Sequence, residues 1–264
     1  MGQLIELQEY KELKSKYRNL KELYIMVEEE KEDLIHKEII YYESKYLSIF
    51  GDIIYKKLDE SIEIRRLRRK IGLVQGYINN NRKIDFQAIN KTIEEELKDF
   101  FRQQENLKQD IKSGKEYIEL PELSNDEIKY VKKIFRTLAK KFHPDLNSDL
   151  STKKRRFWDR ILKAYENNDL EQLRLLSTLL EDQGDVEEVN EIDDIKANIE
   201  KIKNLIKKTE EFIHERKNEF PLNIKGQLSD EQWIINEKEC FTQEVENLIT
   251  ERKFLENHLD TMGG

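Results

Sequence analysis

The chain has 264 residues, a formal net charge of −8, 39% charged and 37% hydrophobic residues, and only 9 glycines and 3 prolines. That balance favours long helices with narrow apolar stripes over a thick globular core, and the acidic excess argues against general nucleic-acid binding while leaving local basic patches open. The single cysteine, Cys240, excludes an internal disulfide and a cysteine-rich metal site and fits a reducing compartment.

Leu13, Tyr17, Leu20, Tyr24 and Val27 alternate spacings of four and three, and Ile39, Tyr42, Tyr46, Ile49 and Ile53 do so again. Both runs predict helix with an apolar seam that needs a partner. The pattern continues through Ile64, Leu67, Ile71, Val74 and Ile78 to "YINNNRKID", where the asparagines predict a turn and Asp85 a helix N-cap. A second helix then runs to Ser113-Gly114, a plausible stop. Residues 52–113 therefore read as an antiparallel hairpin behind a coiled-coil arm, and residues 1–114 as one segment. The spacing of Gly72 and Gly76 predicts close packing or a kink.

Ser124, with Glu127 three residues on, forms a capping box that opens a helix with Val131, Phe135, Leu138 and Phe142 on its apolar face. The opposite face carries Lys129, Lys133, Arg136 and Lys140, flanked by Lys132 and Lys141, and the body of this helix holds no acid to pair with them. The helix stops at His143-Pro144-Asp145, because Pro144 lacks a backbone donor and biases His143 away from helical geometry. In the next helix Phe157, Ile161, Ala164 and Tyr165 fall on one side. Two antiparallel amphipathic helices with an exposed tripeptide at the bend follow. Asn168, with Glu171 three residues on, predicts the cap of a further helix packed on them, and Trp158 and Trp233 read as core or hairpin anchors.

An acidic joint, "EDQGDVEEVNEIDD", follows. Ile192, Ile195, Ile199, Ile202, Ile206, Thr209 and Ile213 then keep a heptad alternation, as do Phe241, Val245, Leu248, Arg252, Leu255 and Leu259. Pro221, Gly226 and a capping box on Ser229 and Gln232 lie between them, which predicts a second antiparallel hairpin within residues 183–264. No run approaches the roughly 20 apolar residues of a membrane span, and the charged start lacks a signal-peptide core, so a cytoplasmic protein without membrane contact is expected.

The middle of the chain, residues 115–182, resembles the J domain of DnaJ-like co-chaperones. "VKKIFRTLAKKFHPDLN" is similar to that family's second helix and signature loop, and "FWDRILKAYE" to its third helix. Tyr117 and Leu120 stand at the distance of its short first helix, with Pro121 and Glu122 where the family carries glycine and an aliphatic residue. The resemblance implies binding to a DnaK-type ATPase chaperone and acceleration of its ATP hydrolysis, with no chemistry performed by this chain. It assigns Asp145 to a cationic group of the chaperone, Pro144 to restricting the loop, and His143 to hydrogen bonding and orientation. Lys129, Lys132, Lys133, Arg136, Lys140 and Lys141 would steer the module toward an acidic surface.

The expectation is an all-α, elongated protein in which coiled-coil hairpins flank a small J-like module. It is not an enzyme and has no catalytic residue, cofactor or metal; its coiled coils recruit a client or scaffold protein, or a second copy. The alternative is a structural coiled-coil scaffold whose J-like module is degenerate. A nucleic-acid adaptor using "RRLRRK" at 65–70 and "KKRR" at 153–156 is disfavoured, since Glu60 and Glu63 dilute the first cluster. His36, His214 and His258 read as surface residues without ligand partners.

Overall fold

A computed structural model describes residues 2–121, 123–147, 150–178 and 192–262. Among these residues all regular structure is helical, and no helix is long and apolar enough to cross a membrane. Helix α1 spans Gly2–Asp33 and passes through a π-helical turn, Leu34–Glu38, into α2, Ile39–Asn79. There follow α3 (Phe86–Ile118), α4 (Asn125–Phe142), α5 (Thr152–Glu166), α6 (Leu170–Thr178), α7 (Ile192–Lys217) and α8 (Glu231–Thr261). In place of three consecutive segments divided at 114 and 182, the chain forms two compact units. The first joins Met1–Ile40 to Pro121–Asn223 and the second joins Tyr41–Leu120 to Ile224–Gly264. The acidic joint lies almost wholly outside the described residues.

In the first unit α7 buries Ile195, Ile199, Ile202, Ile206, Thr209 and Ile213, the face its heptads predict. The partner is α1, which buries Tyr24, Ile25 and Val27. Lys196 pairs with Glu9 at 2.8 Å and Lys217 with Glu30 at 2.6 Å, so the two helices run parallel. Helices α4, α5 and α6 pack around Phe135, Leu138, Ile161, Tyr165, Leu173 and Leu176, all buried. Phe135 stacks on Tyr165 with ring centroids 4.0 Å apart. The side chain that caps α6 is Asp169, which accepts from the Gln172 N–H at 2.9 Å. Asn168, the expected cap, instead takes a positive φ of 52° in the turn before it.

In the second unit α2 and α3 form the expected antiparallel hairpin. Asn81 turns the chain at φ 52° and Asp85 caps α3 by accepting from the Ala88 N–H. Helix α3 does not stop at Ser113-Gly114 but continues to Ile118, because Gly114 is a packing residue. A Cβ there would lie 3.3 Å from Ser44 Cα, and one on Gly51 would lie 2.7 Å from Ile111 Cγ1. Gly72 and Gly76 have nothing within 4 Å, and α2 runs through both, so they are not close-packing sites.

Helix α8 joins the hairpin, not α7. Leu259 shares a core with Leu67, Val74, Ile89, Ile93 and Leu97, and Phe50 meets Trp233 and Phe241 edge-on. Arg252, at a heptad position, bonds Glu60 and Glu256, each at 2.6 Å. Lys57–Glu244 and Arg68–Glu251 align α8 parallel to α2. The expected C-terminal hairpin is therefore absent: α7 fills the seam of α1 and α8 that of α2. Asp230, one residue beyond Ser229, caps α8 by accepting from the Gln232 and Trp233 N–H groups. The arginines at 65–70 are largely engaged within the unit: Arg66 pairs with Glu63, Arg68 with Glu251 and Arg69 with Glu96, while Arg65 lies over Phe100.

Two glycine substitutions should diverge. Gly114→Val forces α2 and α3 apart and lowers stability by about 1–3 kcal/mol, whereas Gly72→Ala, in an open stretch of helix, raises it by roughly 0.5–1 kcal/mol. Urea unfolding midpoints check both, and shifts of the same sign would contradict this account.

Candidate functional site

Helix α4 begins with both halves of its capping box in place. Glu127 donates its N–H to Ser124 Oγ at 3.3 Å, and Ser124 donates its own to Glu127 Oε2 at 2.9 Å. The Ser124 hydroxyl, which donates to the same carboxylate at 2.7 Å, and then the Ser124 N–H hold the Glu127 carboxyl below its usual range. At the other end His143 leaves the helix with φ −63° and ψ 123°, while its N–H still donates to the Ala139 carbonyl. The imidazole Nδ1 accepts from the Asp145 N–H at 3.2 Å, and Leu146 and Asn147 donate to the His143 carbonyl at 3.2 and 3.1 Å. The tripeptide is thus a closed turn held by its own backbone and ring.

The corner is not exposed as expected. His143 is 7% exposed, with its ring edge-on to Trp158 at 4.9 Å and to Tyr24 at 5.2 Å. Pro144 is half-buried; Asp145 is exposed but accepts from the Tyr24 hydroxyl at 2.8 Å. Tyr24 belongs to α1, which lies along the basic face of α4. Burial beside Glu28 and Asp145 pushes its phenol far above the ordinary value.

The cations of α4 also have partners from α1. Lys140 reaches Glu22 at 2.8 Å, Arg136 forks onto both carboxylate oxygens of Glu29, and Lys132 contacts Asp33 at 2.5 Å and Glu29 at 3.5 Å. The positions descend on α4 as they ascend on α1, so the helices run antiparallel in a ladder of charge. Lys129 pairs with Asp126 of its own helix at 3.7 Å, Lys133 is exposed and Lys141 is half-buried. An open groove runs along the ladder, lined by Glu22, Ile25 and Met26 from α1 and by Lys129, Lys132, Lys133, Arg136 and Lys140 from α4.

Behind the ladder, α1 buries three carboxylates, Glu28, Glu29 and Glu32. Glu28 accepts from Thr209 Oγ1 of α7 at 2.9 Å, pairs with Lys31, and lies 4.0 Å from His143 Nε2. Burial would raise the Asp33 carboxyl, but hydrogen bonds from Lys132, Lys37 and Tyr165 outweigh it and hold the group below its usual range. Burial likewise works against the charge on Lys132, and Asp33 and Glu29 more than restore it. Arg136 is held protonated chiefly by its bonds to Glu29.

Sequence reasoning missed Glu22, Tyr24, Glu28, Glu29 and Asp33. The signal was present: acids at 22, 29 and 33 keep the spacing of one helix face, as the cations of α4 do. It also missed that His36, expected without partners, sits 3.3 Å from Glu32 and 3.4 Å from Glu166. These three side chains are the one group among the described residues whose donors lie close enough together for a metal ion. Their close contacts link the π-turn to α5. Tyr117 is in the last turns of α3 and Leu120 is 61% exposed, both in the second unit. Lys153, Lys154, Arg155 and Arg156 are exposed and form no ion pair among the described residues.

Truncating the two ends of one rung should cost unequal amounts. Arg136→Met leaves the buried Glu29 with only Lys132, and should destabilise by about 2–4 kcal/mol, whereas Glu29→Met removes the buried charge itself and should be near neutral. Chemical denaturation of both variants checks the asymmetry. Burial lowers the His143 pKa below its ordinary 6.5; Glu28 and Asp145 oppose the shift and Lys31 adds to it. The unfolded chain then takes up this proton first, so the stability is complete above about pH 6.5 and is lost as pH falls toward the folded value. Thermal midpoints should drop between about pH 7.5 and 5.5, and His143→Gln should drop less. Compared with known proteins, the chain matches no family profile, no curated protein and no solved structure, so its own geometry carries the functional reading.

Proposed function

We propose that α4, the His143-Pro144-Asp145 corner and α5 form a J-domain-like module of a cytoplasmic co-chaperone, which binds a DnaK-type ATPase chaperone and stimulates its ATP hydrolysis. One observation carries the reading. The Asp145 carboxylate and the cation row Lys132, Arg136 and Lys140 lie on the same side of the module, since a single helix, α1, touches them all. A partner presenting an acidic strip ending in a cation would meet both.

Each residue then has a physical task. The row of cations, with Lys129, Lys133 and Lys141 beside it, draws in an acidic surface and sets orientation. Asp145 accepts from the partner's cationic group at the bend. Pro144 limits the loop's freedom and so lowers the ordering cost of docking. His143 is a positioning residue: its buried ring takes the Asp145 N–H and fixes the direction of the carboxylate without exchanging a proton.

The second reading is a coiled-coil scaffold whose J-like module has lost chaperone coupling. The covering of the corner by α1 favours it, because in that case the cations serve only as packing partners. Recruitment of a client, scaffold protein or second copy by the coiled coils would use faces other than the apolar seams, which α7 and α8 fill within the chain.

Steady-state ATPase assays with a purified DnaK-type chaperone separate the two. The co-chaperone reading expects stimulation that falls by on the order of tenfold or more in Asp145→Asn, the cost of losing one charged contact, and substantially in His143→Gln. Stimulation equal in wild type and both variants, or none in any of them, leaves the scaffold.

A further inference from the structure

We infer that α1 is an internal competitor for the chaperone: its acidic face occupies the docking surface, and the module works only when α1 is displaced. The inference rests on the co-chaperone reading and concerns the regulation of that same surface. The aspartate of the corner and three of the cations that reading uses are already engaged by one helix. Glu22, Glu29 and Asp33 take Lys140, Arg136 and Lys132, and the Tyr24 hydroxyl takes the Asp145 carboxylate. Glu28 stands 4.0 Å from the His143 ring. A row of carboxylates at helical spacing is itself the kind of acidic surface the cations would seek, and α1 presents it at the high effective concentration of a tethered ligand.

The ladder is uneven in a way that sets where it opens. At the corner end it consists of Glu22–Lys140, whose side chains are 51% and 50% exposed, and a single hydrogen bond to an exposed carboxylate. Exposed ion pairs contribute little. At the far end Glu29 is 4% exposed and Asp33 15%, with several bonds each. Opening therefore starts beside His143-Pro144-Asp145. Lys129 and Lys133 line the groove that runs along the ladder and are not part of its pairs with α1, so they offer an acidic partner its first contact before α1 moves. A closed state that outnumbers the open one reduces the apparent affinity for the chaperone by that ratio.

The test uses the full chain. Glu22→Lys with Tyr24→Phe loosens the corner end and leaves Glu28, Glu29 and Glu32 in place. In ATPase titrations with a purified DnaK-type chaperone, this variant should reach half-maximal stimulation at a concentration on the order of tenfold lower than wild type, and adding Asp145→Asn should abolish the gain. Stimulation with an unchanged half-maximal concentration overturns the competitor and leaves the co-chaperone reading intact. Silence of wild type and variant alike, where a standard J-domain protein stimulates, overturns that reading and the inference with it. A second measurement does not depend on the variant: fluorophores on Glu22→Cys and Lys140→Cys, with Cys240→Ser, should separate when chaperone is added. Labels that stay close while ATP hydrolysis is stimulated show that docking does not require α1 to leave, and overturn the inference.

Discussion

Three carboxylates within two turns of α1, Glu28, Glu29 and Glu32, are buried, and a buried charge without a partner is among the costliest defects a fold can hold. Their pairing organises the first unit. Glu29 needs the cations of α4, Glu28 needs Thr209 of α7, and Glu32 needs Lys31 and His36 of its own helix and π-turn. Glu29 reaching α4 and Glu28 reaching α7 constrain the rotation of α1, while Glu32 is served locally. Apolar seams would allow the helices to slide by a heptad, whereas these contacts fix one register. Arg252 does the same for α8 against α2, through Glu60 at a position the heptad would leave apolar.

The same requirement gives the face of α4 two meanings. A row of lysines and arginine at helical spacing suits a surface that steers a partner, and equally suits the inner wall of a packed unit. In this chain it is already a wall. The groups that would meet a chaperone are counterions to α1, and the aspartate of the corner is an acceptor for Tyr24. Whether this wall is ever presented to solvent reduces to whether one set of ion pairs opens, a question of equilibrium between two arrangements of the same charges.

What was legible in the sequence is what is local. The caps on Asp85 and Ser124, the buried stripes of α4 and α7, and the hairpin of α2 with α3 all depend on residues close to one another along the chain. The errors came from ownership and from backbone proximity. A heptad announces that a helix has a partner but does not name it, so α7 and α8 were assigned to each other when each belongs to a distant helix. Gly114 looked like a stop because a missing Cβ is equally useful at a helix end and at a close crossing. The cations of α4 have few acids on their own helix, and those that pair with them lie far earlier in the chain, as with Arg136 and Glu29 at a separation of 107. Asp230 and Asp169 took the capping roles expected one residue before them, since a carboxylate oxygen competes well for the same N–H groups.

The parallel pairing of α7 with α1 bears on how the protein is made. The bond from Thr209 to Glu28 spans 181 residues and the pair of Lys217 with Glu30 spans 187, whereas Arg69 meets Glu96 across a separation of 27. On the ribosome the α2–α3 hairpin can close early. Helix α1, which emerges before that hairpin, waits until α7 has been translated. During that interval its carboxylates stay hydrated and its apolar stripe lacks its native cover, so nascent chains stalled before α7 are the species a holdase would capture.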